Sequence, residues 1–297
     1  MAQLEIYEHS GRLGTGMIVV PLMGVIVSVA AGIGYSYANV YVPVVGPIVS
    51  TVLAFAVGGL VGVTVSAGAL ISKCRSAGFV KIAGVACGLI ALYSAWASFA
   101  YILLQRAEEA ADVSLLRIFG SPDYVWEFAK AVNEDGWFSF RSMTPKGTML
   151  WVLWACEAIV FLVLTPIVSL SLIVDRVFCE TTEQWCERQE KYVSLTLGDD
   201  AKIVDRIADG DISALEELPI YDGSDAPRFH VDLHKSSEDL GTRAMKVEFA
   251  LTKKDASSPT DEVSNDVTPI FLLSNEQYQR IEALANREPP VHPTPEN

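Results

Sequence analysis

One carboxylate inside a long apolar segment is the residue best placed to do chemistry. Glu157 is the only charged residue between positions 148 and 174. A carboxylate two to three turns inside a membrane-spanning helix costs several kcal/mol unless it is neutral, paired or facing water. It could be a proton or cation site of a transporter, or a protonated donor that holds its helix to Tyr93, Ser94 or Ser98. The structural role is favoured, because the other apolar segments contain neither a basic partner nor further ionisable groups.

Four apolar segments must position this carboxylate. They are residues 17–39, 47–71, 83–104 and 148–174. Each is long enough for a hydrocarbon core that needs about 20 apolar residues. The sequence therefore predicts an α-helical four-span membrane bundle over residues 1–176, embedded in the lipid bilayer.

The basic residues predict the orientation of this bundle. The first connection, 40–46, has no Lys or Arg, whereas the second, 72–82, contains Lys73, Arg75 and Lys81. The positive-inside rule then places the second connection and both termini in the cytoplasm. The long third connection has five basic and seven acidic residues, but long loops count less in this rule.

Pairs of glycines at four-residue spacing mark helix faces that can approach closely. Gly58 and Gly62 lie in the second segment, and Gly84 and Gly88 lie in the third. Without side chains at these positions, two helix backbones pack tightly in lipid. We expect them to pack the four helices of one chain; contacts in a homo-oligomer and the lining of a permeation path are the alternatives.

The outer loop, 105–147, contains the pattern of a short amphipathic helix. Ser121 and Pro122 form an N-cap followed by proline at the first helical position, and Gly136 is the expected C-cap. Aromatic residues typical of a headgroup interface surround it. They are Trp126, Trp137, Phe138, Phe140, Trp151 and Trp154. We expect the helix to cap the bundle, with a ligand-binding lid as the alternative.

Residues 177–287 have the pattern of a small soluble α+β domain, followed by a proline-rich tail, 288–297, that we expect to be disordered. The predicted elements are a strand at 192–197, a helix at 200–218, antiparallel strands around 229–233 and 245–251, a mobile polar loop at 253–266, a strand at 267–273 and a helix from Ser274 to about 286. This fold class positions no recognisable active site.

The terminal domain is strongly acidic, which limits its partners. Residues 177–297 contain 25 acidic and 12 basic residues, a net charge of about −13. Such a surface is repelled by nucleic-acid phosphates and anionic lipids. The first functional hypothesis is therefore a membrane anchor for an acidic cytoplasmic domain that binds a protein partner in a scaffold or assembly role.

Two other functions stay open. One is a small channel or transporter subunit that uses Glu157 within the bilayer. The other is a membrane enzyme with a polar cluster around Asp175, Glu180 and Glu183. The chain has no phosphate-binding loop, serine-hydrolase elbow or zinc-protease motif, and we therefore do not predict an enzyme.

Metal binding has three candidate ligands, Cys179, Cys186 and His234. Structural zinc sites usually contain cysteine pairs two to four residues apart, and these cysteines are separated by six residues. His230 and His234 share a strand face but are roughly 13 Å apart. We predict no cofactor, with a structural zinc as the alternative, and no disulfide in a cytoplasmic domain.

Three short motifs carry a resemblance to a known family. They are residues 133–137, residues 150–157, and residues 178–180 followed by Trp185. The chain resembles a family of uncharacterised bacterial inner-membrane proteins with four spans and a cytoplasmic C-terminal domain. That family typically has two Cys-x2-Cys pairs that suggest a zinc ribbon. Here Thr182 replaces one cysteine, and residues 234–237 occupy the place of the second pair, so the resemblance implies an inner-membrane location and a degenerate metal site.

Overall fold

In the computed structural model the chain forms two compact units. The structure describes residues 4–42, 47–106, 113–136, 144–197, 202–222, 226–237, 241–255 and 258–287. The first unit is Ser10–Val174, and the second combines Met1–His9 with Asp175–Asn297. We call them the helical unit and the terminal domain.

The helical unit contains four long helices and two short ones. They are α1 (Gly16–Tyr41), α2 (Pro47–Ile71), α3 (Ala77–Arg106), α4 (Leu115–Phe119), α5 (Pro122–Asp135) and α6 (Thr148–Val174). Helices α1, α2, α3 and α6 are long and apolar enough to cross a membrane. Helix α5 begins and ends as predicted, with Gly136 at φ 75°, although the Ser121 hydroxyl donates to the Arg117 carbonyl. Helix α4 was not predicted.

Helix α6 is held against α2 and α3 at positions without side chains. A methyl group added to Gly58, Gly62, Gly84 or Gly88 would meet Leu164, Val168, Pro166 or Phe161 of α6, respectively. At Gly62 the added carbon would lie 2.7 Å from Val168 Cβ, well inside van der Waals contact. Helix α1 packs against α2 and α3, α2 also contacts α3, and the short helices α4 and α5 contact α3 and each other.

The terminal domain is built around an antiparallel sheet. Its strands are β1 (Glu5–Ile6), β2 (Phe178–Cys179), β3 (Gln184–Trp185), β4 (Glu187–Thr196), β5 (Arg228–Lys235), β6 (Arg243–Asp255), β7 (Ser258–Asp266) and β8 (Phe271–Leu272). The main sheet has the order β1-β8-β6-β5-β4, with β7 also paired to β6, and β2 pairs with β3 separately. The helices are α7 (Lys202–Ala208), α8 (Ile212–Glu216) and α9 (Asn275–Ala285).

The predicted antiparallel pair forms the centre of this sheet. Phe229 lies opposite Phe249, and Val231 lies opposite Val247. The apolar side chains of one face pack in a single core with residues of α7, α8 and α9. The capping box at Ser274 is also present at the start of α9. Strong alternation of apolar residues predicted this part correctly, because one face of each strand is buried.

Three elements differ from their predictions. The expected helix over 200–218 is divided into α7 and α8, because Gly210 has φ 82° and Asp211 caps α8 by accepting from the Ser213 amide. The polar segment 253–266, expected as a mobile loop, forms the end of β6 and strand β7. Polar hairpins show no apolar alternation to predict them. The expected strand over 267–273 contains only the two residues of β8, and the tail 288–297 lies outside the described residues.

The N-terminal strand belongs to the terminal domain, although the sequence assigned residues 1–176 to the bundle. Ile6 pairs with Phe271, and the buried side chain of Leu4 lies in the main core. Tyr7 accepts a hydrogen bond from the Phe178 amide at its hydroxyl, 2.9 Å away. Both ends of the helical unit therefore lead into the same domain.

Candidate functional site

Glu157 accepts a hydrogen bond at the end of a short series of polar side chains. It lies nine residues after the start of α6, or about 14 Å along the helix axis. Ser50 Oγ donates to Glu157 Oε1 at 2.6 Å, and Tyr35 Oη lies 2.8 Å from Ser50 Oγ. Either hydroxyl can be the donor in the contact between Tyr35 and Ser50. Two hydroxyl groups, from α1 and α2, thus lie beside the carboxylate.

The side chains of Tyr35, Ser50 and Glu157 border a cavity of about 50 Å³. The polar side of the cavity is formed by Tyr35, Ser36, Asn39, Ser50 and Glu157, and the aromatic side by Trp96, Phe99, Trp154 and Phe161. A space of this size is large enough for water or for a small cationic group. The cavity lies toward the end of the helical unit at which α1 ends and α2 begins.

Asn39 borders this cavity and has a buried acceptor without a partner. The residue is only 8% exposed, and its Nδ2 donates to the Tyr35 carbonyl at 2.9 Å. Its Oδ1 is buried and has no hydrogen-bond partner in the described structure. An unpaired buried carbonyl costs about 1–3 kcal/mol.

Basic side chains do not neutralise Glu157 in the described part of the helical unit. The sequences of α1, α2 and α6 contain no Lys or Arg. Arg106, at the end of α3, donates to the Val40 carbonyl at 3.2 Å and stacks over the Tyr41 ring. The cavity therefore borders a carboxylate that has no basic partner in this part of the unit, and such a carboxylate favours a proton donor or a cation.

The partners proposed for Glu157 from the sequence are wrong. Tyr93 donates its hydroxyl to the Phe119 carbonyl at 2.7 Å, because it faces the short helix α4. The hydroxyl oxygens of Ser94 and Ser98 are buried without a partner in the described structure. The actual neighbours, on α1 and α2, were missed. A polar pair at i and i+4, Tyr35 and Asn39, was the feature of the sequence that could have indicated them.

Tryptophan side chains form a groove next to the cavity. Trp96 and Trp154 have ring centroids 4.6 Å apart, Trp154 contacts Trp151, and Trp151 contacts Trp126 of α5. These rings border an apolar groove of about 510 Å³ between α3, α5 and α6. Three further aromatic residues expected at this interface, at positions 137, 138 and 140, lie outside the described residues.

The two cysteine candidates for metal binding share one buried cluster of the terminal domain. Cys179 Sγ accepts from the Thr242 amide at 3.4 Å, and Cys186 lies in the same cluster. Burial raises the pKa of Cys179, but hydrogen bonds from Thr182 and Thr242 outweigh it and lower the pKa to about 6. Burial, followed by repulsion from Cys179, raises the pKa of Cys186 to about 12.

The third metal candidate is His234 on β5, whose imidazole ring has no hydrogen-bond partner in the described structure. A search of those residues finds no group of three His, Cys, Asp or Glu side chains that could hold a metal. Thr182, at the position of the replaced cysteine, instead has its hydroxyl 3.3 Å from that of Ser236.

A charge network fills the polar face of the main sheet beside His234. Arg188 binds Asp232 through Nε at 2.9 Å and Glu248 through Nη2 at 3.0 Å. Lys246, which is 4% exposed, pairs with Asp175 at 2.9 Å. Asp175, named above as a possible enzymatic residue, is thus engaged in an ion pair.

Comparison with protein-family models, curated proteins and solved structures finds no match for the chain. The resemblance to bacterial four-span inner-membrane proteins therefore stays a prediction, and functional inference must begin from the geometry of the cavity.

Proposed function

We propose that the chain is a multi-pass membrane protein that binds a proton or a small cation at Glu157, as a small transporter or a subunit of one. Apolar side chains on the outside of the helical unit support the membrane location. Ile18 and Ile82 are each 71% exposed, and Ile159 and Ile167 are each 57% exposed. Lipid would cover these side chains, which are unfavourable in water.

The proposed orientation is that of an inner-membrane protein with both termini in the cytoplasm. The pairing of β1 with β8 supports an even number of crossings, because the residues before α1 and after α6 enter one sheet. Lys73, Arg75 and Lys81 near the connection between α2 and α3 support a cytoplasmic location for that side.

The observation that supports the transport proposal is a carboxylate that borders a cavity within the apolar helices. Ser50 donates a hydrogen bond to Glu157, and α1, α2 and α6 contain no Lys or Arg that could neutralise it. Intramembrane carboxylates that face a cavity are typical of ion and proton pathways. At Gly62 and Gly84, α2 and α3 pack closely against α6, in the half of the unit away from the cavity. This close packing favours a transporter that changes shape over a permanently open channel.

Flux measurements on the purified protein in liposomes test this proposal. A potassium diffusion potential would drive proton entry, read by an internal pH dye, and parallel samples would follow tracer sodium or rubidium. We expect flux that Glu157→Gln abolishes and that Ser50→Ala reduces several-fold. The matched control is Glu127→Gln, which removes one exposed carboxylate from α5 and should leave flux unchanged. Absence of all flux in the native protein, or equal flux in Glu157→Gln, would overturn the proposal.

A second role, as the anchor of an acidic interaction domain, is favoured by the charge of the terminal region. Its net charge of about −13 suits a basic protein partner and opposes nucleic acid. The native mass of the protein, extracted from its own membranes in nanodiscs, tests this role. A co-purifying second protein would support the anchor, whereas a homo-oligomer without other chains would favour the transporter alone.

A further inference from the structure

We propose that the cation recognised at Glu157 is a primary organic ammonium with an apolar body, whose head enters the cavity and whose body lies in the tryptophan groove. This inference rests on the proposed function and specifies its substrate class. Three observations carry it: the carboxylate of Glu157 beside the cavity, the aromatic wall of the cavity, and the shared border between the cavity and the groove.

The polar cavity suits an ammonium head better than a bare metal ion. An ammonium group has three N–H donors and no acceptor, and the polar side of the cavity contains the Glu157 carboxylate together with the oxygen atoms of Tyr35 and Ser50. Aromatic rings, including Trp96 and Phe161, form its other side. Aromatic faces attract organic cations through cation–π interaction, whereas Mg²⁺ and Ca²⁺ require about six or more oxygen ligands.

The tryptophan groove suits the apolar body of the same ligand. Its volume of about 510 Å³ lies within the range of small-molecule sites, about 300–1,000 Å³. Leu92, Trp96 and Trp154 border both the cavity and the groove. In the proposed complex the apolar body of the ligand lies against the Trp96–Trp154 pair and extends into the groove, while its charged end lies beside Glu157. The negative charge of Glu157 selects this occupant over a lipid acyl chain, which has no cationic end.

Binding of n-hexylamine to the full chain in zwitterionic nanodiscs tests the proposal. At pH 7 the amine is protonated, since alkyl ammonium groups have a pKa near that of lysine, about 10.4. Four tryptophans border the groove, so intrinsic fluorescence, corrected with empty nanodiscs, reports occupancy. Hexanol provides the same body without charge, and methylamine provides the same head without the body.

We expect saturable binding of hexylamine and at least tenfold weaker binding of hexanol. Methylamine should bind far more weakly than hexylamine, because each buried methylene raises affinity about fourfold. Glu157→Gln should weaken hexylamine binding at least tenfold, and Glu127→Gln should not change it. Ala158→Phe, which fills the groove, should weaken hexylamine but leave methylamine binding unchanged, and so separates loss of the groove from misfolding.

Equal binding of hexanol and hexylamine would overturn the proposal, since the groove would then be a general lipid site. Equal binding of methylamine and hexylamine would also overturn it, because the groove would contribute nothing. If hexylamine does not bind while proton or sodium flux still depends on Glu157, the substrate class is wrong and the proposed function stands. If both binding and flux are absent, the proposed function fails with it.

Discussion

Replacement of His234 by leucine should make the terminal domain less sensitive to acid without weakening it at neutral pH. His234 is 1% exposed, and neither ring nitrogen has a hydrogen-bond partner in the described structure. Burial, followed by repulsion from Arg188, lowers its pKa from 6.5 to about 4. The positive charge of Lys246 also contributes to this lower pKa. The negative charges of Asp232 and Asp175 raise the pKa of His234, but by less than the other causes lower it.

The sign and size of the effect follow from proton linkage. Because the pKa is lower in the folded state, the unfolded chain binds the proton first as the pH falls. The stability associated with neutral His234 is fully present above pH 6.5 and is lost as the pH falls toward 4. The loss between pH 7 and pH 5 is about 2 kcal/mol, and it reaches about 3 kcal/mol below pH 4.

Hydrogen exchange of the full chain in nanodiscs measures this loss locally. Amides of β5 and β6, corrected for intrinsic exchange, should lose about twentyfold more protection between pH 7 and pH 5 in the native protein than in His234→Leu. An identical pH dependence in the two proteins would refute the assignment of this sensitivity to His234.

His230 provides the matched control on the same strand and the same face. It is also buried, at 4% exposure, but its Nδ1 lies 2.7 Å from Ser194 Oγ in a hydrogen bond. His230→Leu should therefore cost about 1–3 kcal/mol at pH 7, whereas His234→Leu should cost less than about 1 kcal/mol because it breaks no hydrogen bond. Equal losses would show that the His234 ring has partners, contrary to the structure.

Three further substitutions test the packing within each of the two units. Gly62→Ala should lower the stability of the helical unit by about 1–3 kcal/mol in a thermal melt. The control Gly59→Ala should not lower it, because nothing lies within 4 Å of the new methyl group. Equal melting temperatures of the two variants would contradict the close contact at Gly62. Arg188→Met should cost the terminal domain about 3–5 kcal/mol by exchange, because it leaves the buried carboxylate of Asp232 without its cation. Leu4→Ala should cost that same domain about 2–4 kcal/mol, and a change confined to the helical unit would contradict the placement of β1.

The sequence predicts the elements whose pattern is long or strongly periodic. The bounds of α2 and α6 agree with the predicted segments 47–71 and 148–174, because a continuous apolar run defines a helix of this length. The pairing of β5 with β6 follows from apolar residues at every second position. A continuous apolar run indicates a helix that avoids water on all sides, and alternation indicates a strand with one buried face. Both kinds of element could be predicted because burial determines them.

The environment of Glu157 could not be predicted in this way. The position of a residue along a helix gives its depth, but the neighbours that it meets depend on how the helices are arranged around one another. Tyr93, Ser94 and Ser98 were chosen by type, yet Ser50 on α2 supplies the hydrogen bond. Strand β1 was missed for a different reason, since two residues are too few to show any period.

The location of the cavity follows from the sizes of the side chains along α3 and α6. Toward one end, Gly84 and Gly88 allow α3 to approach the α6 backbone so closely that an added methyl group would lie within 3 Å of it. Toward the other end, the rings of Trp96 on α3 and Trp154 on α6 contact each other, with centroids 4.6 Å apart. A carboxylate beside the glycines would have no room for a ligand or for water, whereas Glu157 lies where the large rings leave a space. The sizes of these side chains thus set where a charged group can be held inside the apolar unit, and the aromatic composition of the wall favours an organic cation in that space.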